Sequence, residues 1–121
     1  MNALHTAQTF KRPLPPEMIA ALQGRFAERF SMANAVRDHH GKDESPFPSM
    51  LPDGVVFAQS TDEVVAVVKL CNQHYIPLIP FGAGSSLEGH ILAIQGGISL
   101  DLTAMNKIVS LNTEDQTVTV Q

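Results

Sequence analysis

Apolar residues Ile19, Leu22, Phe26 and Phe30 recur three and four positions apart in the first third of the chain, the spacing of one helical face. Pro16 suits the first turn of such a helix, where its missing N–H would have no partner anyway. A helix is therefore predicted from Pro16 to about Phe30, behind an exposed segment punctuated by Pro13 and Pro15. Ser31 is read as the cap of a second, shorter helix ending near His39 or His40, with Gly41 as its left-handed stop. Residues 42–53, KDESPFPSMLPD, hold three prolines and no period, and read as a loop.

The pattern then shortens. Gly54–Ala58 is a compact apolar strand. Ser60 and Glu63 stand at capping-box spacing, and Val64, Val67, Val68 and Cys71 follow on one helical face. That helix is predicted to end near Gln73–Tyr75, before a second buried strand, Ile76–Pro80. Such a strand–helix–strand unit closes right-handed into a parallel pair. Residues 97–121 read as mostly antiparallel strands. Ile98–Leu102 alternates, and Lys107–Asn112 and Thr117–Gln121 flank a turn at Thr113–Gln116. Thr117–Gln121 alternates to its last residue, so the segment reads as the N-terminal piece of a longer domain, with an edge prone to association. The fold class is α+β.

The 121 residues are enough for one modest core and too few for two full domains. Apolar residues make up 44% and charged residues 17%, which excludes a disordered chain. Residues 1–42 carry six bases and three acids, whereas residues 43–121 carry two bases and nine acids. The balance gives nucleic-acid binding no electrostatic support. No apolar run reaches the length of a membrane span, and the first residues show neither a secretory nor a mitochondrial leader pattern. A cytoplasmic protein, peripheral to a membrane at most, is the expectation.

Five of the eight glycines fall within residues 82–97. The segment Pro80-Phe81-Gly82-Ala83-Gly84-Ser85-Ser86-Leu87-Glu88-Gly89-His90 directly follows a buried strand. Its small residues can expose successive backbone N–H groups, a concavity that holds phosphate oxygens. Residues 70–106 contain no Lys or Arg, so any phosphate there must be held by backbone. The residues alone leave several readings open. Gly84 and Gly89 have P-loop spacing, but His90 and Ile91 replace the required Lys and hydroxyl. Gly82 and Gly84 begin a G-x-G-x-x-G fingerprint that Leu87 breaks, with Asp101 at about the ribose-binding distance of a Rossmann-type module. A flavin pyrophosphate loop in an α+β domain is the third reading, and a plain tight connection the fourth.

The runs IPLIPFGAGSSLEGH and IQGGISLDLTAMNKIVSLNTEDQTVTVQ resemble the FAD-linked oxidases of the vanillyl-alcohol-oxidase superfamily. They are most similar to its D-lactate dehydrogenase (cytochrome) and glycolate oxidase D-subunit group, and the likeness extends over residues 36–121. It implies a PCMH-type FAD-binding domain. Residues 1–47 would be a helical arm and loop. Residues 48–121 would be the N-terminal part of the domain, with a βαβ first lobe and the start of an antiparallel second lobe. By the same resemblance Pro80, Phe81, Gly82, Ala83, Gly84, Ser85, Ser86, Leu87 and Gly89 wrap the FAD pyrophosphate. The resemblance places Asp43 and Ser45 towards the flavin-facing side, as candidate secondary cofactor contacts. His90, at the end of the loop, reads as packing against it, with contact to the cofactor as the alternative. Gly84 stands near the place where some members attach flavin to a His, which implies noncovalent FAD.

The implied activity is oxidation of a small 2-hydroxy acid, D-lactate first, with electrons passed to a cytochrome or quinone. A glycolate oxidase-type subunit is the alternative within the family. Catalytic residues are expected beyond residue 121, so these residues alone should be inactive and bind FAD weakly. No metal site is expected: His39 and His40 are adjacent, point apart on a helix and read as a solvated helix end. Cys71 reads as a core residue without a partner to activate it. Asp101, if FAD is the ligand, reads as an acceptor for nearby loop N–H groups.

Overall fold

A computed structural model of the chain describes residues 12–121; the leader reading of the first residues lies, up to residue 11, outside them. Helix α1 spans Pro16–Phe26, with Met18, Leu22 and Phe26 buried. It stops four residues short of the prediction. Ala27 takes φ 50° and returns its N–H to the Gln23 carbonyl. A 3-10 turn, Ala27–Arg29, leads into strand β1, Phe30–Ser31. Phe30 thus enters a sheet instead of closing a helical stripe. Helix α2, Asn34–His39, starts after Ala33, and the Ser31 hydroxyl accepts the Ala33 N–H instead of capping the helix. Gly41 is not a left-handed stop either. His40 ends the helix in the right-handed region, and Gly41 is small because the chain at Met50 and Leu51 passes against it.

The remaining elements are β2 Gly54–Phe57, α3 Thr61–His74, β3 Leu78–Phe81, β4 Ile98–Asp101, β5 Ile108–Asn112 and β6 Thr117–Val120. The first four strands form one sheet in the order β1-β2-β4-β3. Here the structure corrects the sequence reading twice. β2 and β3 do not pair with each other, and β4 is not antiparallel. β4 lies between them, parallel to both, with Phe57 and Phe81 each in register with Asp101. β5 and β6 form the expected antiparallel hairpin as a separate two-stranded sheet.

Side chains alternate across a strand, so β4 divides its residues between two packed faces. Ile98 and Leu100 join Val56, Val67, Cys71, Leu22 and Phe26 in the core under α1 and α3. Ser99 and Asp101 point the other way and are also buried. A strand covered on both faces is mostly apolar, as in parallel sheets generally. Asp101 is hydrogen-bonded there, whereas the buried Ser99 hydroxyl has no hydrogen-bond partner among the described residues. Val68, expected in the core, is exposed, because α3 turns Val67 and Cys71 inward. On the hairpin Ile108, Val109, Leu111, Val118 and Val120 are all exposed.

Helix α3 starts where the capping signal placed it: the Ser60 hydroxyl accepts the Glu63 N–H at 3.3 Å. The reciprocal half is altered. The Glu63 carboxylate accepts the Gln59 N–H and forms a two-pronged pair with Arg29 at 2.7 and 2.8 Å. Arg29 also donates to the Phe57 carbonyl, tying the turn after α1 to the end of β2. Hydrogen bonding to Arg29 holds the Glu63 carboxyl down at about 2. A depressed carboxylate stabilises the fold above its ordinary value, and that contribution is lost as pH falls toward 2. Glu63→Gln is expected to lower stability by about 1 kcal/mol at pH 7. The gap to the unsubstituted protein should close between pH 4.5 and 2 in denaturant titrations. A gap that persisted at pH 2 would assign the effect to packing.

Candidate functional site

The three parallel strands end together, so Phe57, Asp101 and Phe81 form a row at their carboxyl edge. Open α/β sheets bind ligands at that edge. Helix α2 lies over the row and brings in His39 and His40. His40 is 2% exposed, and its ring sits 4.3 Å from the Phe81 ring, centroid to centroid. His40 Nε2 lies 2.7 Å from Asp101 Oδ2, and His40 Nδ1 lies 2.8 Å from the Val36 carbonyl. The other Asp101 oxygen accepts the N–H and hydroxyl of Thr103 at 2.8 and 2.5 Å. A cavity of about 500 Å³ opens beside this pair, walled by Val36, His39, Phe57, Phe81, Ala83 and Thr103 among others.

From Phe81 the chain runs into the glycine loop, and no helix follows it: residues 82–97 are irregular up to β4. That removes the helix that a Rossmann fingerprint requires. Among the described residues, no backbone N–H from Gly82 to Leu87 donates to a protein acceptor. Gly84 has φ +68°, and a Cβ there would come within 2.7 Å of the Phe81 ring. Gly82 faces open space, with nothing within 4 Å of an added Cβ. A groove of about 370 Å³ runs along Gly82–Ser86 to His90 and Ile91. A smaller one, about 200 Å³, joins Ala83 and Gly84 to His39, Lys42 and Glu44. Ala83 lines both grooves and the larger cavity.

The far end of the loop is tied down. Asp43 accepts the Gly89 N–H at 3.0 Å, and also the Ser45 N–H and hydroxyl. The Ser45 hydrogen bond above all holds the Asp43 carboxyl below its ordinary range. Its oxygens are thus engaged in fastening residues 43–45 to the loop. His90 Nδ1 lies 2.9 Å from the Ser86 hydroxyl, which also accepts the Glu88 N–H. Pro80 and Phe81 belong to β3, while Leu87 is exposed.

One reading needs correction. His40 is a buried partner of Asp101, because α2 packs over the strand ends and leaves only His39 facing out. Sequence reasoning also missed Phe57, Thr103 and Lys42. Lys42 brings a cation to a loop whose own neighbourhood in sequence has none, and its carboxylate partner Asp38 is half-buried. The one clue to Phe57 was its place, like those of Phe81 and Asp101, within one residue of the end of a strand pattern. Cys71 is buried between α3 and the sheet, and that burial pushes its thiol up to about 11. No group of three or more His, Cys, Asp or Glu able to hold a metal occurs among the described residues.

Residues 52–121 match the FAD binding domain family. A probable mitochondrial D-lactate dehydrogenase of Danio rerio is 46% identical over 94 residues, covering 78% of this chain and 19% of that protein. Glycolate oxidase subunit GlcD of Bacillus subtilis is 34% identical over 94 residues, covering 78% of this chain and 20% of that protein. Among solved structures, an alkyldihydroxyacetonephosphate synthase superposes with a TM-score of 0.79 at 24% identity, over 90% of this chain and 23% of that one. p-Cresol methylhydroxylase does so with a TM-score of 0.67 at 24% identity, over 82% and 21%. The chain spans about a fifth of the length of the curated relatives it matches. The family match covers more than half of the chain, its range including the strand edge and the loop; the chain belongs to the FAD binding domain family.

Proposed function

We propose that the chain is the FAD-binding segment of an oxidoreductase acting on a small 2-hydroxy acid, D-lactate first, with a cytochrome or quinone as electron acceptor. The observation that carries this is the run of backbone N–H groups from Gly82 to Leu87 without protein acceptors, in a chain of this family. The loop fits a diphosphate. Successive amides supply donors without charge, and the missing side chain at Gly82 leaves room for close approach. Pro80 and Phe81 anchor the loop to β3. Gly82, Ala83, Gly84, Ser85, Ser86 and Leu87 offer it to the phosphates, and Gly89 is held by Asp43. Ser45 and His90 act on the loop through Asp43 and Ser86, a more indirect part than cofactor contact.

Bound FAD supplies the two-electron acceptor for oxidising an alcohol carbon to a carbonyl. This chain binds and orients it, and excludes water at the apolar strand edge. We assign the residues that grip the acid and take its proton to positions beyond residue 121, and residues 48–121 to the first part of the domain. Noncovalent attachment is favoured by Gly84 at the centre of the loop, which has no side chain to bond a flavin. The names of relatives favour D-lactate, with glycolate as the second reading. No helix among the described residues is long and apolar enough to cross a membrane. We place the reaction in the cytoplasm or at a membrane periphery.

The test is purification of the full-length protein, its absorption spectrum, and acid precipitation to release the flavin. Reduction of a dye acceptor by D-lactate, L-lactate, glycolate and D-2-hydroxyglutarate then ranks the acids. A yellow protein whose flavin stays in the supernatant, turning over D-lactate fastest, is expected. A colourless protein that does not take up FAD overturns the reading, and a glycolate preference moves it to the second.

A further inference from the structure

The buried pair His40 and Asp101 comes from segments 61 residues apart, and neither residue belongs to the glycine loop. We propose that the two are a positioning pair for that loop, acting through Phe81 on Gly84; the proposal rests on the FAD reading of the loop. The contacts form an unbroken series. Asp101 holds His40 Nε2 at 2.7 Å, and the Val36 carbonyl holds Nδ1 at 2.8 Å, so the ring is fixed at both nitrogens. The ring then packs against Phe81 at 4.3 Å between centroids. The Phe81 ring lies so close beneath Gly84 that an added Cβ would approach it to 2.7 Å. Gly84 holds φ +68° over that ring, which sets the direction of the neighbouring N–H groups.

The protonation of the pair is constrained by its partners. The Val36 carbonyl can only accept, and a carboxylate can only accept, so the unit holds two protons, one on Nδ1 and one between Nε2 and Oδ2. It is neutral as a whole. Removing one member leaves a buried charge or an unpaired acceptor, which is far costlier than never having had the pair. Apolar side chains would have filled the same space at no such risk. What they could not supply is a ring locked in one orientation under Phe81.

Three substitutions separate the contacts. His40→Gln keeps a donor for Asp101, removes the ring from Phe81 and leaves the buried carboxylate without its counter-charge, so the cycle with Phe81 isolates the ring contact. His40→Phe keeps the ring and strands the carboxylate. Asp101→Asn keeps everything, because its amide can donate to a neutral His40 and its carbonyl can accept from Thr103. In the full-length protein Asp101→Asn is expected to hold FAD within about twofold of the unsubstituted protein, while His40→Gln and His40→Phe each weaken it about tenfold or more. The flavin absorption bands should broaden in the same two. In a cycle with Phe81→Leu, the double variant with His40→Gln should bind FAD no worse than the weaker single variant.

Amide exchange across residues 82–87 of the FAD-free protein provides a readout that needs no cofactor. It should quicken in His40→Gln and stay unchanged in Asp101→Asn. Where His40→Phe does not fold, the other two variants decide. Unchanged exchange in a folded His40→Gln protein, additive losses in the cycle, or a loss in Asp101→Asn equal to that in His40→Gln would each overturn the proposal. A protein that takes up no FAD overturns the functional reading instead, and the exchange data still decide the role of the pair.

Discussion

Gly84→Val is expected to strip FAD from the full-length protein, whereas Gly82→Ala leaves the loop itself intact. The two glycines look equivalent in the sequence, and on that footing both should fail alike. The structure separates them. Gly84 has φ +68°, a region that β-branched residues avoid, and its missing side chain is where the Phe81 ring lies. Strain of this kind costs about 3 kcal/mol at its upper range, or about a hundredfold in affinity if the loop must recover its shape to bind. At Gly82 a Cβ meets no protein atom within 4 Å and the backbone needs no special angle. A methyl group there is expected to leave the melting temperature within a few degrees. Any flavin lost from Gly82→Ala then reports contact with the ligand rather than damage to the loop. The measurement is flavin content and FAD titration beside thermal melting for each variant. Full flavin retention in Gly84→Val would remove the loop as the pyrophosphate site.

Gly97→Ala is expected to be strongly destabilising. Gly97 precedes β4, the central strand, with φ +91°. A Cβ would sit 2.2 Å from the Pro77 carbonyl oxygen, on backbone that cannot step aside. The same residue donates its N–H to Asp53 at 2.7 Å, and its carbonyl accepts the Asp53 N–H at 2.7 Å. Moving Gly97 therefore disturbs the start of β2 and the start of β4 at once. A loss of about 3 kcal/mol or more is expected from chemical denaturation. Gly24→Ala is the control. It lies in α1 with nothing near an added Cβ, and helix propensity alone should raise stability by about 0.5–1 kcal/mol. A Gly97→Ala protein as stable as the unsubstituted one would mean that the turn before β4 is free to rearrange.

Local signals in the sequence were read correctly where the interaction that decides them is itself local. Ser60 caps α3 because hydroxyl and Glu63 N–H are three residues apart. The β5–β6 hairpin forms about its own turn, where Asn112 accepts the Glu114 and Asp115 N–H groups. The glycine-rich run announced a loop of exposed amides for the same reason. The first helix was overextended because Phe30 fits a helical stripe and a sheet edge equally well, and the choice was made by its partner Val56. The partner of β4 could not be read at all. Its four residues are buried on both faces, so alternation carries no record of orientation, and hydrogen bonds to strands some twenty and forty residues earlier place it in parallel at the centre. His40 looked like a solvated helix end for a related reason: its only distinguishing feature, Asp101, lies 61 residues away. The sequence by itself determined α3, the hairpin and the loop that offers its amides, since each depends on contacts within a few residues. Only the tertiary structure decided which strand ends meet, and with them the wall of Phe57, Phe81, His40 and Asp101 beside the loop. Nothing short of packing the sheet brings those four side chains within reach of one another.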